Sequence, residues 1–150
     1  MRDSVTVHMK CTPDAVWSLV SDVTRIGEFS PETFEAQWTG GATGPEVGAR
    51  FKGHVNRNGK GVKYWTECKV TDAVPGSAFA FDVVVGSRVV NSWRYEIEPA
   101  GDGVDVTESF ALDQNPATKL YWLLLGWARG KTNREGMRTT LTRIKAVVEA

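Results

Sequence analysis

The chain opens on an alternation, with Val5, Val7, Met9 and Cys11 falling to one side and Ser4, Thr6, His8 and Lys10 to the other. A period of two predicts a half-buried strand over residues 4–11. Thr12-Pro13-Asp14 then starts a helix, with Thr12 as N-cap and Pro13 at the first helical position. Val16, Trp17, Leu19 and Val20 make that helix short and apolar. A second helical turn over residues 24–29 ends at Ser30-Pro31, because the residue before a proline avoids the helical region.

From Thr33 onward the period is two almost throughout. Phe34, Ala36 and Trp38 alternate with polar neighbours, and residues 49–56 set Phe51, Gly53 and Val55 against Arg50, Lys52, His54 and Asn56. Further strands are predicted over residues 62–70, through Phe79-Phe81-Val83-Val85 and Trp93-Tyr95-Ile97, and from Val104 to Leu112. Asn58-Gly59 is a hairpin signal, and Pro75-Gly76 and Gly101-Asp102-Gly103 are turns.

The last stretch, residues 117–150, holds no proline and steps by three and four through Met137, Leu141, Ile144 and Val148, which is helical spacing. Continued backward, the stripe passes Asn133 or Arg134, Gly130, Trp127, Leu123 or Leu124, and Leu120. The buried face therefore begins bulky, turns small and polar, and becomes apolar again. A polar interval on an inward face suggests a lined cavity. Gly126, Gly130 and Gly136 each weaken the helix by roughly 1 kcal/mol relative to Ala, marking a bend, a close approach or room for a ligand; a kinked core helix is the plainer alternative.

Strands grouped apart from helices indicate an α+β domain with an antiparallel sheet of six or seven strands. Such a sheet needs a cover, and the terminal helix alone is long enough. The pocket left between them is a natural small-molecule site.

Composition narrows the picture modestly. The 150 residues suit a single domain, 1–150. Eighteen Lys and Arg against 18 Asp and Glu cancel, which argues against nucleic acid or an anionic membrane as partner. Cys11 and Cys68 are too few for a disulfide scaffold, so a cytoplasmic protein is expected, with no signal peptide and no membrane insertion. The greasiest run, Leu120 to Trp127, is too short to span a bilayer. His8 and His54 lie on polar strand faces, so neither a metal site nor a nucleophile–base–acid triad is expected, and no cofactor is implied. Gly59-Lys60-Gly61 has no strand-to-helix junction after it and is a turn, not a phosphate loop.

The candidate chemistry lies among the aromatics and one acid. Phe51, Phe79, Phe81, Trp93, Tyr95 and Phe110 fall on inward faces; Trp17, Tyr121 and Trp122 or Trp127 come from helices. Most of these fill a core, while Trp93 and Tyr95 carry polar tips suited to a cavity wall. Glu108 shares its strand face with Val104, Val106, Phe110 and Leu112. A carboxylate desolvated among apolar neighbours has a raised pKa and can act as acid or base. The structural alternative is a bond to Arg129, Arg134 or Tyr95. Glu28 sits in a loop, as a solvated charge or a gate to the mouth. No second carboxylate and no histidine is expected in the pocket. Strict alternation turns Trp65 outward with Lys63 and Glu67; a bulge would turn it inward.

The order of elements resembles the helix-grip fold of the START/Bet v 1-like superfamily. The local sequence is similar to its polyketide cyclase/dehydrase and lipid-transport branch. The resemblance is carried by Thr12-Pro13-Asp14-Ala15-Val16-Trp17, Ser21-Asp22-Val23, Gly27-Glu28-Phe29-Ser30-Pro31 and Gly48-Ala49-Arg50-Phe51-Lys52-Gly53, then by Trp65-Thr66, Val106-Thr107-Glu108, Gly136-Met137 and Leu141 through Lys145. It spans nearly the whole chain and favours Trp65 turned inward. It implies a cavity between sheet and terminal helix that binds or transports a small hydrophobic ligand, either a lipid or a polyketide-like molecule. The expected contacts are Phe29, Phe51, Trp65, Phe81, Trp93, Tyr95, Glu108, Phe110, Trp127 and Asn133, in a monomer or homodimer. The alternative is a cyclase or dehydrase using Glu108 as acid/base with Tyr95 as an orienting hydroxyl. A third reading is an interaction module that uses an exposed sheet edge.

Overall fold

A computed structural model describes residues 2–56, 63–112 and 133–150. Strand β1 (Arg2–Met9) leads into helix α1 (Pro13–Val20) and a 3-10 helix, Val23–Glu28. Six strands follow: β2 (Thr33–Thr39), β3 (Arg50–Val55), β4 (Tyr64–Val74), β5 (Ala78–Val85), β6 (Arg88–Ala100) and β7 (Gly103–Leu112). Residues 133–148 form the terminal helix, α2. The strands make one seven-stranded sheet in the order β1-β7-β6-β5-β4-β3-β2, antiparallel at every pairing. This is the expected α+β helix-grip architecture.

Local chemistry explains the entry. The Thr12 hydroxyl accepts the Ala15 amide at 3.3 Å, capping α1 with Pro13 in its first turn. The Trp17 indole donates to the Ala78 carbonyl at 2.9 Å, fastening α1 to the start of β5. Asp22 caps the 3-10 helix in the same manner. Gly27 has a steric reason: a Cβ there would stand 2.0 Å from the Phe34 carbonyl oxygen, so only glycine lets this segment lie on β2. The Pro75-Gly76 turn forms as expected, with Gly76 at a φ of 74°.

Several boundaries differ from the period-two reading. β1 stops at Met9, since Cys11 already bends toward α1. β4 runs on to Val74 past an irregularity between Val70 and Asp72, and β6 begins at Arg88, well before Trp93. The Asn58-Gly59 hairpin, and the helix expected over residues 117–132, lie outside the described residues.

α2 covers one face of the sheet, here the inner face. Met137, Leu141 and Ile144 are buried against Met9, Phe79, Ile97, Val104 and Val106, as the stripe predicts. Polar flanks hold the helix in place. Arg134 pairs with Asp3 at 2.9 Å, Arg143 donates to the Phe29 carbonyl at 3.3 Å, and Lys145 donates to the His8 carbonyl at 3.2 Å.

Candidate ligand site

Where α2 and the sheet do not meet, they enclose a cavity of about 460 Å³. The ladder register determines what lines it. Directly opposed residues share a face, so Tyr95 opposite Glu108, Trp93 opposite Phe110 and Phe81, and Asn91 opposite Leu112 and Val83 all point inward together. Cys68, Thr66, Gly53 and Val55 continue the wall on β3 and β4. The segment 30–33 and the α2 residues Asn133, Gly136, Met137 and Thr140 close it from the other side. Of the small, polar interval of the helix stripe, Asn133 faces the cavity, Arg134 does not, and Gly130 lies outside the described residues.

Glu108 is the chemical centre of this wall. It is 4% exposed. The Tyr95 hydroxyl donates to its Oε1 at 3.1 Å, while Oε2 has no hydrogen-bond partner among the described residues. Burial, partly offset by the tyrosine hydrogen bond, pushes its pKa to about 8. The carboxyl group is therefore largely protonated at neutral pH and can donate as well as accept. Burial, then the neighbouring Glu108 charge, raises the Tyr95 pKa well above its ordinary value and keeps the phenol a donor. Of the sequence-predicted structural partners, Tyr95 is observed, Arg134 turns instead to Asp3, and Arg129 lies outside the described residues.

Cys68 also lines the cavity, but burial pushes its thiol to about 12, so it is a packing group and no nucleophile at neutral pH. No cluster of three potential metal ligands occurs among the described residues. His8 hydrogen-bonds Asp105 and Asp102 on the outer face, and those bonds raise its pKa. His54 bonds Glu35 and stacks on Trp65.

Of the predicted contacts, Phe51, Phe81, Trp93, Tyr95, Glu108, Phe110 and Asn133 line the cavity together. Trp127 lies outside the described residues. Two others stand elsewhere. Trp65 pairs regularly with His54, without the bulge that would turn it inward, and its ring lies flat on the imidazole at 4.1 Å on the outer face. Phe29 is buried at the end of the 3-10 helix, its ring 6.0 Å from the Arg25 guanidinium, and does not border the cavity. Glu28 is not in a loop as expected but is the last residue of the 3-10 helix, a solvated charge paired with Arg25 at 2.7 Å.

Sequence reasoning also missed residues. Glu32 is a second carboxylate on the cavity wall, and Asn91 presents a buried side-chain oxygen with no hydrogen-bond partner among the described residues. Asn91 was reachable by carrying the Tyr95–Trp93 alternation one step further. Glu32 sits in an aperiodic turn that carries no such signal.

The sequence matches the polyketide cyclase / dehydrase and lipid transport family over residues 2–149. The chain belongs to that family. Solved structures agree on the fold. The polyketide-cyclase-like protein Cgl2372 of Corynebacterium glutamicum is 24% identical, with 99% of this chain and 88% of that one covered and a TM-score of 0.60. TTHA0849 of Thermus thermophilus is 16% identical, covering 99% and 97%, at a TM-score of 0.73. The di-domain ARO/CYC StfQ of the steffimycin biosynthetic pathway is 11% identical and has a TM-score of 0.75. There, 99% of this family member aligns with 50% of the di-domain chain. No functionally curated protein matches the sequence. Among the described residues, no helix is long and apolar enough to cross a membrane.

Proposed function

We propose that this family member binds or carries a small hydrophobic ligand, a lipid fragment or a polyketide-like molecule, in the cavity beneath α2. The observation that carries the reading is a 460 Å³ space walled by aromatics, with an incompletely satisfied carboxyl group inside it. That volume lies in the range of roughly 300–1,000 Å³ typical of small-molecule pockets. The wall combines apolar area with a few polar points, which orients a mostly apolar guest. The lipid-transport part of the family description supports the same class. In this reading the chain works as one cytoplasmic domain, monomeric or dimeric.

Trp93 sits in the wall, so an aromatic or lipid guest should quench or shift tryptophan fluorescence. A guest at about one hundred times its dissociation constant should stabilise the fold by about 2.7 kcal/mol. A broad panel of lipids and aromatics that moves neither signal would refute the proposal.

A second reading, a cyclase or dehydrase, is favoured by one specific feature: the Glu108 acid, with its pKa near 8 and a tyrosine holding one oxygen. Cyclisation or dehydration of a polyketide needs a proton taken beside a carbonyl and one delivered to a leaving oxygen. A positioned carboxyl group serves either step and contributes typically ~100- to 10,000-fold. Glu108→Gln separates the two readings, because it keeps shape and removes the acid. Turnover that collapses with affinity intact assigns catalysis; a change confined to affinity or stability assigns binding.

A further inference from the structure

Resting on the ligand-binding reading above, we infer that the guest is an elongated, uncharged molecule with a hydrogen-bonding group, such as a hydroxyl, at each end, one end held by Glu108 and the other by Asn91. Two buried side-chain oxygens on this cavity wall, Glu108 Oε2 and Asn91 Oδ1, are without hydrogen-bond partners among the described residues. Buried polar atoms are ordinarily satisfied, so two orphans on one cavity mark where a guest's polar atoms belong.

Their placement sets the guest's shape. Tyr95 stands opposite Glu108, and Asn91 lies four residues back along β6, opposite Leu112. At the rise of a strand, the backbone positions that carry the two anchors are therefore about 13 Å apart along the sheet. Between them the wall is apolar: Trp93 packs on Phe110 with ring centroids 4.9 Å apart, and Phe81 faces Trp93 across the ladder. The Glu108 end is closed by the fully packed core around Val106 and Phe79; the Asn91 end lies toward the β5–β6 turn.

The lining also argues for neutrality. Among the described wall residues the charged types are Glu32 and Glu108, and none is Lys, Arg or His. An anionic head group would enter without a counter-ion. A hydroxyl, which both donates and accepts, suits a carboxyl group and an amide equally.

Three probes test the geometry on the full chain by titration calorimetry: decanediol with a hydroxyl at each end, decanol, and the much shorter propanediol. Decanediol is the most extended two-ended probe, and its second hydroxyl would be a penalty in a merely greasy pocket. The two-anchor site predicts that it binds about tenfold tighter than decanol, the worth of one good buried hydrogen bond. Propanediol, too short to reach both anchors even with a hydrogen bond at each end, should show no such gain. Asn91→Leu should bring decanediol down to decanol's affinity without weakening decanol, and decanoate should bind worst of the ten-carbon probes. Decanol binding as well as decanediol to the unaltered chain, or an unchanged ratio in Asn91→Leu, overturns the inference and leaves the hydrophobic site standing. If neither alcohol binds, the inference falls, and the binding reading is decided by the lipid and aromatic panel above. The probe comparison on the unaltered chain needs no variant to fold.

Discussion

Ile97 and Asn91 stand on the same strand and the same face of the sheet, yet they live in different surroundings. Around Ile97 the sheet is filled: Met9, Phe79, Val104, Val106, Leu141 and Ile144 are almost wholly excluded from solvent and touch one another. Around Asn91 the neighbours on its face are Leu112, Val83 and Trp93, which border the cavity, and space remains. The helix repeats the contrast, offering Leu141 and Ile144 to the filled end and Asn133, Gly136 and Thr140 to the open one. Glu108 and Tyr95 sit on the boundary row. The filled end packs on both sides, while at the open end Phe51, Phe81, Phe110 and Met137 are buried on the sheet and helix sides and still border the cavity. One sheet and one helix thus divide structural and binding roles along their length.

That division predicts unequal costs for adjacent residues. Leu141→Ala empties a site inside the packed end and should destabilise by about 2–5 kcal/mol. Thr140→Ala, one position earlier, removes a side chain from the cavity wall whose hydroxyl donates to the Gly136 carbonyl of its own helix. It should stay within about 1 kcal/mol of the unaltered chain. Urea unfolding measures both. Equal losses would mean that the open end carries folding energy after all.

The boundary row predicts the next largest effect, and it depends on pH. Glu108 titrates near 8 when folded, against an ordinary 4.5. Between those values the folded chain keeps a proton that the unfolded chain has released. Stability therefore falls as pH rises through this window, by up to about 1.4 kcal/mol per pH unit, and levels off above it. Glu108→Gln should reduce that slope, leaving the contribution of His8, whose raised pKa acts in the same sense above pH 6.5. The surface carboxylates whose pKa values are lowered by their partners, Asp102, Glu28 and Glu149, act in the opposite sense and at more acid pH, so they do not mask it. An unchanged slope in the glutamine variant would remove Glu108 from the buried boundary.

The same division explains what could be read from the chain before its fold was known. The packed end is periodic, so strands β1, β5 and β7 and the Met137–Leu141–Ile144 stripe follow from alternation and helical spacing alone. Glu108 was legible because it interrupts an apolar face at a regular position. Asn91 obeys the same rule, but it precedes the aromatic pair that makes β6 conspicuous, and an asparagine near a turn reads as loop. Phe29 and Glu32 lie where the backbone has no period, so nothing local tells which way each side chain turns. Trp65 teaches the converse. Alternation sends it outward, as observed, while family resemblance favours the opposite face; the regular His54–Trp65 pairing leaves no bulge to turn it.

Trp65 also carries the smallest and most discriminating prediction. Its ring is sandwiched outside the sheet, flat on His54 with the Lys52 ammonium 4.6 Å from its centroid, and it remains 43% exposed. Cross-strand pairs of this kind contribute roughly 0.2–1 kcal/mol, so Trp65→Ala should cost no more than that in urea unfolding. Trp93, by contrast, meets the guest directly in the proposed site. Ligand-induced quenching of tryptophan fluorescence should survive Trp65→Ala and fall sharply in Trp93→Phe, while guest affinity in Trp65→Ala stays at its original value. The two tryptophans thus report on the two faces of one sheet. Loss of quenching in Trp65→Ala, with Trp93 intact, would place the guest on the outer face and reverse the assignment of inside and outside.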